Sequence, residues 1–237
     1  MMEKAIFCWS GGKDSSLCLY EVLKAGKFDV KYLLTTINGN VKRISMHGVQ
    51  EELLLQQADS IGIELKKVYV YEGSNQEYEK NMEELLLQMK EEGINHVIFG
   101  DIFLEDLRKY REDNLAKVGM KAVFPLWKQD TITLIESFID LGFKTITCCV
   151  NDYYLGEDMV GTEIDKEFVK NLPENVDPCG ENGEFHTFCF DGPIFKIPIR
   201  FDRGEKLYKP LEINGNAVCS SLSGTKGFWY CDLLPAV

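Results

Sequence analysis

The chain has 237 residues, 45% of them hydrophobic, and carries a formal net charge of −12 at pH 7. A chain of this length can bury the core of one large domain, or of one domain with a smaller one appended. Its negative charge opposes a broad electrostatic grip on nucleic acid, because contacts to phosphates supply much of that affinity. Nucleic acid is therefore an unexpected partner.

The N-terminal residues do not resemble a targeting segment. Only a short apolar run follows Met-Met-Glu-Lys, and no stretch of about 18 apolar residues occurs along the sequence. We expect a cytoplasmic protein with no membrane partner, in which the eight cysteines are thiols and not disulfides.

Residues 1–150 alternate short apolar runs with longer helical patterns. Strands are predicted at 5–9, 30–37, 65–70, 96–99, 122–124 and 145–150, and helices at 15–25, 48–61, 76–92, 104–118 and 131–141. This alternation is typical of βαβ units and predicts an α/β fold with a doubly wound, mainly parallel sheet. Ligands of such sheets bind at the carboxyl ends of the strands, near the point where the strand order reverses.

After residue 150 the pattern changes to short runs separated by glycine and proline. A helix is predicted at 163–171, and β-rich runs at 185–190, 195–201 and 228–233. We therefore predict two domains, a nucleotide-binding domain at 1–150 and a smaller α+β domain at 151–237 on the substrate side.

The hexapeptide Ser10-Gly11-Gly12-Lys13-Asp14-Ser15 follows the first predicted strand and opens the first predicted helix. Paired glycines allow a tight turn and a close approach of backbone to ligand. Amide groups at the helix N-terminus favour an anion, and Lys13 adds a positive charge for phosphate. Asp14 either holds Mg²⁺ or caps the helix. The spacing is not that of a Walker A loop.

A second group of polar residues follows the predicted strand at 96–99. Asp101 lies in the turn after that strand, and Glu105, Arg108 and Glu112 share one face of the next helix. One interpretation is a solvated helix with paired charges. The position at a strand end favours the other interpretation, a substrate-binding role for Asp101, Glu105 and Arg108.

A third group lies between Asp177 and Phe188, where Glu181, Glu184 and His186 surround two glycines. A carboxylate there suits an amine or ammonium ligand, and a histidine transfers protons near neutral pH. The alternative is an ordinary hairpin with a hydrogen-bonded histidine.

The hexapeptide resembles the pyrophosphate loop of the N-type ATP pyrophosphatases, which cleave ATP between its α- and β-phosphates. With Phe124-Pro125-Leu126-Trp127 and the Gly-Glu-Phe-His-Thr-Phe stretch starting at Gly183, nearly the whole chain resembles the diphthine–ammonia ligase family, also called the diphthamide synthesis ATP-binding family. The resemblance implies an adenine nucleotide alpha hydrolase-like fold and an ATP-dependent ligase. Such an enzyme transfers AMP to a carboxylate, releases pyrophosphate, and forms an amide with ammonia.

Carried over to this chain, the resemblance implies that the loop from Ser10 to Ser15 binds ATP, with Asp14 as a Mg²⁺ ligand. It also implies acceptor binding by Asp101, Glu105, Arg108 and Glu181, and catalysis by Lys13, Asp14, Glu184 and His186. The acceptor would be diphthine on an elongation factor 2-like protein. However, Gly100-Asp101-Ile102 differs from the Gly-Ala-Ile pattern of many diphthamide-type members, so the acceptor stays open.

Two alternatives share the same loop. One is a tRNA-modifying adenylating enzyme, which the acidic composition and the lack of a Cys-x-x-Cys motif disfavour. The other is a nucleotide-binding sensor without chemistry, which has little use for the acidic loop around Glu181. A homo-oligomer is compatible with the sequence.

Overall fold

The computed structural model describes residues 2–44, 47–71, 75–211 and 224–236. In chain order the elements of its first part are β1 (Glu3–Cys8), α1 (Lys13–Ala25), β2 (Phe28–Asn38), β3 (Arg43–Ile44), α2 (Glu51–Ile61), β4 (Glu64–Val70), α3 (Asn75–Glu91), β5 (His96–Ile98), α4 (Glu105–Lys117), β6 (Lys121–Val123) and α5 (Thr131–Asp140). Those of the second part are β7 (Lys144–Asn151), a 3₁₀ turn (Glu157–Met159), α6 (Lys166–Lys170), β8 (Phe185–Asp191), β9 (Phe201–Pro210) and β10 (Gly227–Pro235).

The first sheet is mainly parallel and has β1 near its centre. Strand β1 pairs with β2 on one side and with β5 on the other, and β4 and β6 extend the sheet at its two sides. Only the short β3 pairs antiparallel, with the end of β2. The chain winds outward through β2 and β4, and then crosses to β5 and β6. The carboxyl ends of β1 and β5 therefore form the switch point where a ligand is expected.

Helices cover both faces of this sheet. On one face, α1, α2 and α5 contribute fully buried side chains such as Leu19, Leu53 and Phe138. On the other, Met89 of α3 and Leu115 of α4 pack against the sheet in a second apolar cluster. Burial on both faces explains why the central strands are continuous apolar runs. The predicted doubly wound α/β fold is confirmed.

The second sheet is antiparallel, with the strand order β8-β7-β10-β9. Strand β7 was predicted as the last strand of the first sheet, but it pairs antiparallel with β8 and β10 instead. Its residues are buried on both faces, so its sequence has the same apolar character as a central parallel strand. An apolar run alone does not identify the sheet that it joins.

The predicted run at 195–201 is not a strand. The segment lies against the end of α2, where the backbone N–H of Lys196 donates to the Ser60 carbonyl (3.1 Å) and that of Ile197 donates to the Ser60 hydroxyl (3.0 Å). Pro198 has no N–H to offer a sheet. The strand begins only at Phe201, as β9, which is largely exposed and therefore lacks the alternation by which strands are predicted. Residues 212–223 of the predicted second domain lie outside the described residues.

Among the described residues, no helix is long and apolar enough to cross a membrane.

Candidate functional site

The glycine loop lies at the carboxyl end of β1, where α1 begins at Lys13. Gly11 has a φ of +77°, and a Cβ at this position would lie 2.7 Å from the Gln57 side-chain oxygen and 2.8 Å from Leu54. Both the conformation and the lack of space require glycine. The tight turn predicted after the first strand is therefore present.

A buried glutamine on α2 holds the loop in place. Gln57 accepts a hydrogen bond from the Trp9 indole (2.9 Å) and donates to the carbonyls of Gly11 (3.0 Å) and Cys189 (2.6 Å). Sequence reasoning did not identify Gln57 as part of the site. The available signal was a single polar residue in the apolar stripe of the predicted helix.

The first turn of α1 is closed by hydroxyl groups. The Ser10 and Ser15 hydroxyls lie 3.0 Å apart, and Ser15 also donates to the Gly12 carbonyl (3.0 Å). The backbone N–H of Lys13 donates to the hydroxyl of Thr187 on β8 (3.0 Å). The second sheet thus supplies a cap to the helix N-terminus on which the phosphate-binding prediction depends.

Lys13 is the buried cation of the site, with 3% of its surface exposed. Its ammonium group donates to both oxygens of Asp14 (2.8 and 2.9 Å) and to the Cys179 carbonyl. Burial is the largest single influence and favours the neutral amine, but the neighbouring acidic groups, Asp14 foremost, together raise the pKa of Lys13 to about 12. Lys13 therefore stays protonated near neutral pH and connects the loop to the segment at Cys179.

Glu184 organises the loop from Asp177 to Glu184. The side chain is fully buried, and its two oxygens accept hydrogen bonds from the backbone N–H groups of Asp177 (2.9 Å) and Asn182 (2.8 Å) and from the Asn182 amide (3.0 Å). A carboxylate with three donors is held in one orientation. Glu184 was predicted to be catalytic. In the structure its described hydrogen bonds lie within the loop that carries Cys179 and Glu181, so it holds that loop in shape.

Glu181 faces the glycine loop and the strand end at Ile102. Its carboxylate accepts the backbone N–H of Ile102 (3.2 Å). Burial is the main cause that raises the pKa of Glu181 to about 8, and the neighbouring Asp14 carboxylate adds to the effect. Burial also raises the pKa of Asp14. The structure therefore brings Lys13, Asp14 and Glu181 together.

This raised pKa makes stability depend on pH. The pKa of this glutamate is 4.5 in the unfolded chain and about 8 in the folded protein. Between these two pH values folded Glu181 holds a proton that the unfolded chain releases, so the free energy of unfolding falls as pH rises. We expect the variant Glu181→Gln to lack this decline and to exceed the parent by about 1 kcal/mol or more at pH 9. Denaturant unfolding from pH 4.5 to 9 measures it, with Glu174→Gln as a control at an exposed position. Parallel pH profiles for parent and Glu181→Gln would contradict the prediction.

Asp101 forms an ion pair that was not predicted. Arg111 of α4 approaches its two oxygens at 2.6 and 3.1 Å and lies 4.3 Å from the Phe99 ring centroid. Because Asp101 also contributes to the raised pKa of Glu181, it belongs to the same group of carboxylates. The available signal for Arg111 was its position one helical turn after Arg108, which could not show which of the two arginines faces the strand end.

The other two predicted acceptor-binding residues, Glu105 and Arg108, contact side chains farther from the glycine loop. Glu105 is 74% exposed and pairs with Lys128 (3.2 Å). The Arg108 guanidinium pairs with Glu112 (2.8 Å) and lies over the rings of Phe124 (5.0 Å) and Trp127 (4.7 Å). These contacts fit the interpretation of a solvated helix with paired charges better than direct substrate binding beside the loop.

His186 of β8 lies beside His47, which borders the loop at Gly12. Its ring centroid is 4.6 Å from that of His47. Burial lowers the pKa of His186 well below its ordinary value, and His47 and Lys13 lower it further. Its Nε2 is buried and has no hydrogen-bond partner in the part of the chain that the structure describes. A neutral imidazole therefore lines this part of the site.

Two family models and several curated proteins match this chain. A family model of the diphthamide synthase N-terminal domain matches residues 3–122, and one of the diphthamide synthase C-terminal domain matches residues 130–216. A diphthine–ammonia ligase of Danio rerio is 27% identical over 83% of this chain and 85% of its own. The Homo sapiens diphthine–ammonia ligase is 26% identical over 83% and 82%.

Among solved structures, a predicted tRNA methyltransferase subunit from Methanocaldococcus jannaschii has a TM-score of 0.40 and 16% identity, covering 65% of this chain and 81% of its own. The two family models together span most of both sheets and all three groups of site residues. The chain belongs to the diphthamide synthase family.

Proposed function

We propose that this protein is an ATP-dependent carboxylate–ammonia ligase that forms AMP and pyrophosphate. One observation carries the proposal: a helix N-terminus with a buried, protonated Lys13 lies beside the partly buried carboxyl group of Glu181. The first feature suits a polyphosphate, and the second suits a nitrogen nucleophile. The name of the curated relatives, diphthine–ammonia ligase, supports the second half.

In this proposal the loop from Ser10 to Ser15 binds the phosphates of ATP. Backbone amides at the start of α1 and the two serine hydroxyls donate to phosphate oxygens, and Lys13 neutralises part of their charge. Lys13 would exchange its bond to the Cys179 carbonyl for a phosphate oxygen. Gly11 and Gly12 let the loop pack against Leu54, Gln57 and Thr187, which leave no room for a side chain at either position.

The carboxylates present fit a magnesium ion shared with ATP. The described residues contain no group of three or more His, Cys, Asp or Glu placed to hold a metal by themselves. Mg²⁺ commonly binds through one or two carboxylates together with substrate phosphates. Asp14, 29% exposed beside Lys13, is the residue that would hold it. The ion would supply charge neutralisation on the phosphates.

The reaction has two steps. An oxygen of the acceptor carboxylate attacks the α-phosphorus, the bond to the bridging oxygen breaks, and pyrophosphate leaves. Ammonia then attacks the activated carbonyl carbon, the carbon–nitrogen bond forms, and AMP leaves. The protein contributes positioning and charge, which are the main sources of rate in phosphoryl chemistry.

The proton of the attacking nitrogen passes to Glu181 in this proposal. A carboxylate whose pKa is raised to about 8 is a stronger base than an ordinary glutamate. His186, whose pKa is lowered, is the weaker base and acts as a neutral hydrogen-bonding group. Asp101 and Arg111 form the acceptor side, with Glu105 and Arg108 at its outer margin. We infer a cytoplasmic enzyme acting on diphthine of an elongation factor 2-like protein.

The test uses ATP labelled in its α-phosphate, ammonium, and elongation factor 2 that carries diphthine with ¹⁸O in its carboxylate. AMP and pyrophosphate are expected in equal amounts, with one ¹⁸O atom transferred to AMP. Unmodified elongation factor 2 is the control. Formation of ADP and phosphate, or AMP without ¹⁸O, would overturn the mechanism.

A further inference from the structure

A second histidine lines the glycine loop, contributed by the segment between β3 and α2. The Nε2 atom of His47 lies 3.5 Å from the position that a Cβ on Gly12 would occupy. Its ring stacks at a tilt of 38° on His186, at a centroid distance of 4.6 Å. Gly12 is the N-cap residue of α1, so the His47 ring borders the N-terminal turn where an anion is favoured.

The two flanks of the loop differ in charge. On the flank of Gly100, which packs against the backbone of Asp14 and Ser15, lie the carboxylates of Asp101 and Glu181. The carboxyl groups on this flank suit an amine, which donates hydrogen bonds, more than a phosphate, which accepts them.

The flank at Gly12 is formed by His47, His186 and the hydroxyl of Thr187, with Thr187 also in contact range of the Gly12 position. These side chains carry no negative charge and offer N–H and O–H donors. A highly charged phosphate group is therefore favoured on this side of the loop.

We propose that His47 is a further binding residue of this site, whose imidazole donates a hydrogen bond to the β- and γ-phosphates of ATP and to the pyrophosphate that leaves. This assignment deepens the proposed function and rests on its use of ATP. The absence of a side chain at Gly12 brings the imidazole within reach of a ligand lying on the loop. His186 packs against the His47 ring.

The test measures binding without turnover. Isothermal titration of the whole chain with magnesium pyrophosphate, and with a non-hydrolysable ATP analogue, is compared for the parent, His47→Ala and His47→Gln. Loss of a hydrogen bond to a charged ligand is expected to weaken pyrophosphate binding about tenfold or more in His47→Ala. His47→Gln, which retains an N–H donor, is expected to recover part of it.

His96 supplies the matched control. It is the third histidine of the chain and lies on β5, where it contacts Glu3 (3.3 Å) and Phe28. His96→Ala is expected to leave pyrophosphate affinity unchanged. In steady-state assays His47→Ala is expected to raise the KM for ATP and the inhibition constant of pyrophosphate, but not the KM for ammonium. A residue of merely structural importance would not separate these constants.

Unchanged pyrophosphate affinity in a folded His47→Ala protein would overturn this assignment and leave the proposed function standing. If His47→Ala fails to fold, His47→Gln decides by the same measurement. A parent protein that binds neither pyrophosphate nor the ATP analogue would overturn the proposed function itself, and the assignment of His47 with it.

Discussion

The variant Lys13→Ala is expected to release pyrophosphate about 100 to 1,000 times more slowly than the parent at saturating ATP. Lys13 is the one side chain whose positive charge is buried within the glycine loop, and its raised pKa keeps that charge present. Charge that develops on the phosphates in the transition state is stabilised most by a cation held in a dry, fixed position. The measurement is kcat for pyrophosphate release at pH 7.5.

Two controls separate this effect from damage to the fold. Lys24→Ala removes an exposed lysine from the last turn of the same helix and is expected to leave kcat within about twofold of the parent. Lys13→Arg keeps the charge but changes the donor geometry, so an intermediate rate is expected. A kcat within tenfold of the parent for a folded Lys13→Ala protein would show that Lys13 does not act on the phosphates.

The glycine loop could be predicted because its physics is local. A tight turn between a buried strand and a helix N-terminus involves only neighbouring residues, so Gly11, Lys13 and Ser15 are recognisable from their order alone. The alternation of strands and helices predicted the doubly wound sheet for the same reason. Local patterns specify local structure well.

Contacts between distant segments could not be predicted in this way. Gln57 reaches the loop from α2, Arg111 reaches Asp101 across ten positions, and Thr187 caps α1 from another sheet. The weak local signals for Gln57 and Arg111 could not show which distant residue each would contact. The placement of β7 in the second sheet belongs to the same class, since pairing partners are determined by the whole fold.

The site is shared between the two sheets. The backbone N–H of Cys189 on β8 donates to the Gly11 carbonyl (2.8 Å), and the ammonium group of Lys13 donates to the Cys179 carbonyl. The second sheet thus does more than carry the acceptor-side loop. It also stabilises the conformation of the glycine loop. Substitutions that disturb the segment at 177–184 are therefore expected to weaken ATP binding.

The variant Glu184→Ala tests this dependence and has the second largest expected effect. Removing the carboxylate leaves the N–H groups of Asp177 and Asn182 without their acceptor. Hydrogen bonds to a charged group are worth about 1.5–3 kcal/mol each, so a loss of about 3 kcal/mol or more in the free energy of unfolding is expected. Denaturant unfolding measures it, with Glu174→Ala as the exposed control in the same segment.

Activity is expected to fall together with stability in Glu184→Ala, because Cys179 and Glu181 lose their fixed positions beside Lys13. Glu184→Gln keeps the size of the side chain and one acceptor oxygen, so it is expected to lie between the parent and Glu184→Ala in both measurements. A glutamate that acts on the reacting atoms would behave differently. Glu184→Gln would then abolish turnover at unchanged stability. That result would show that Glu184 takes part in the reaction and does not only position the loop.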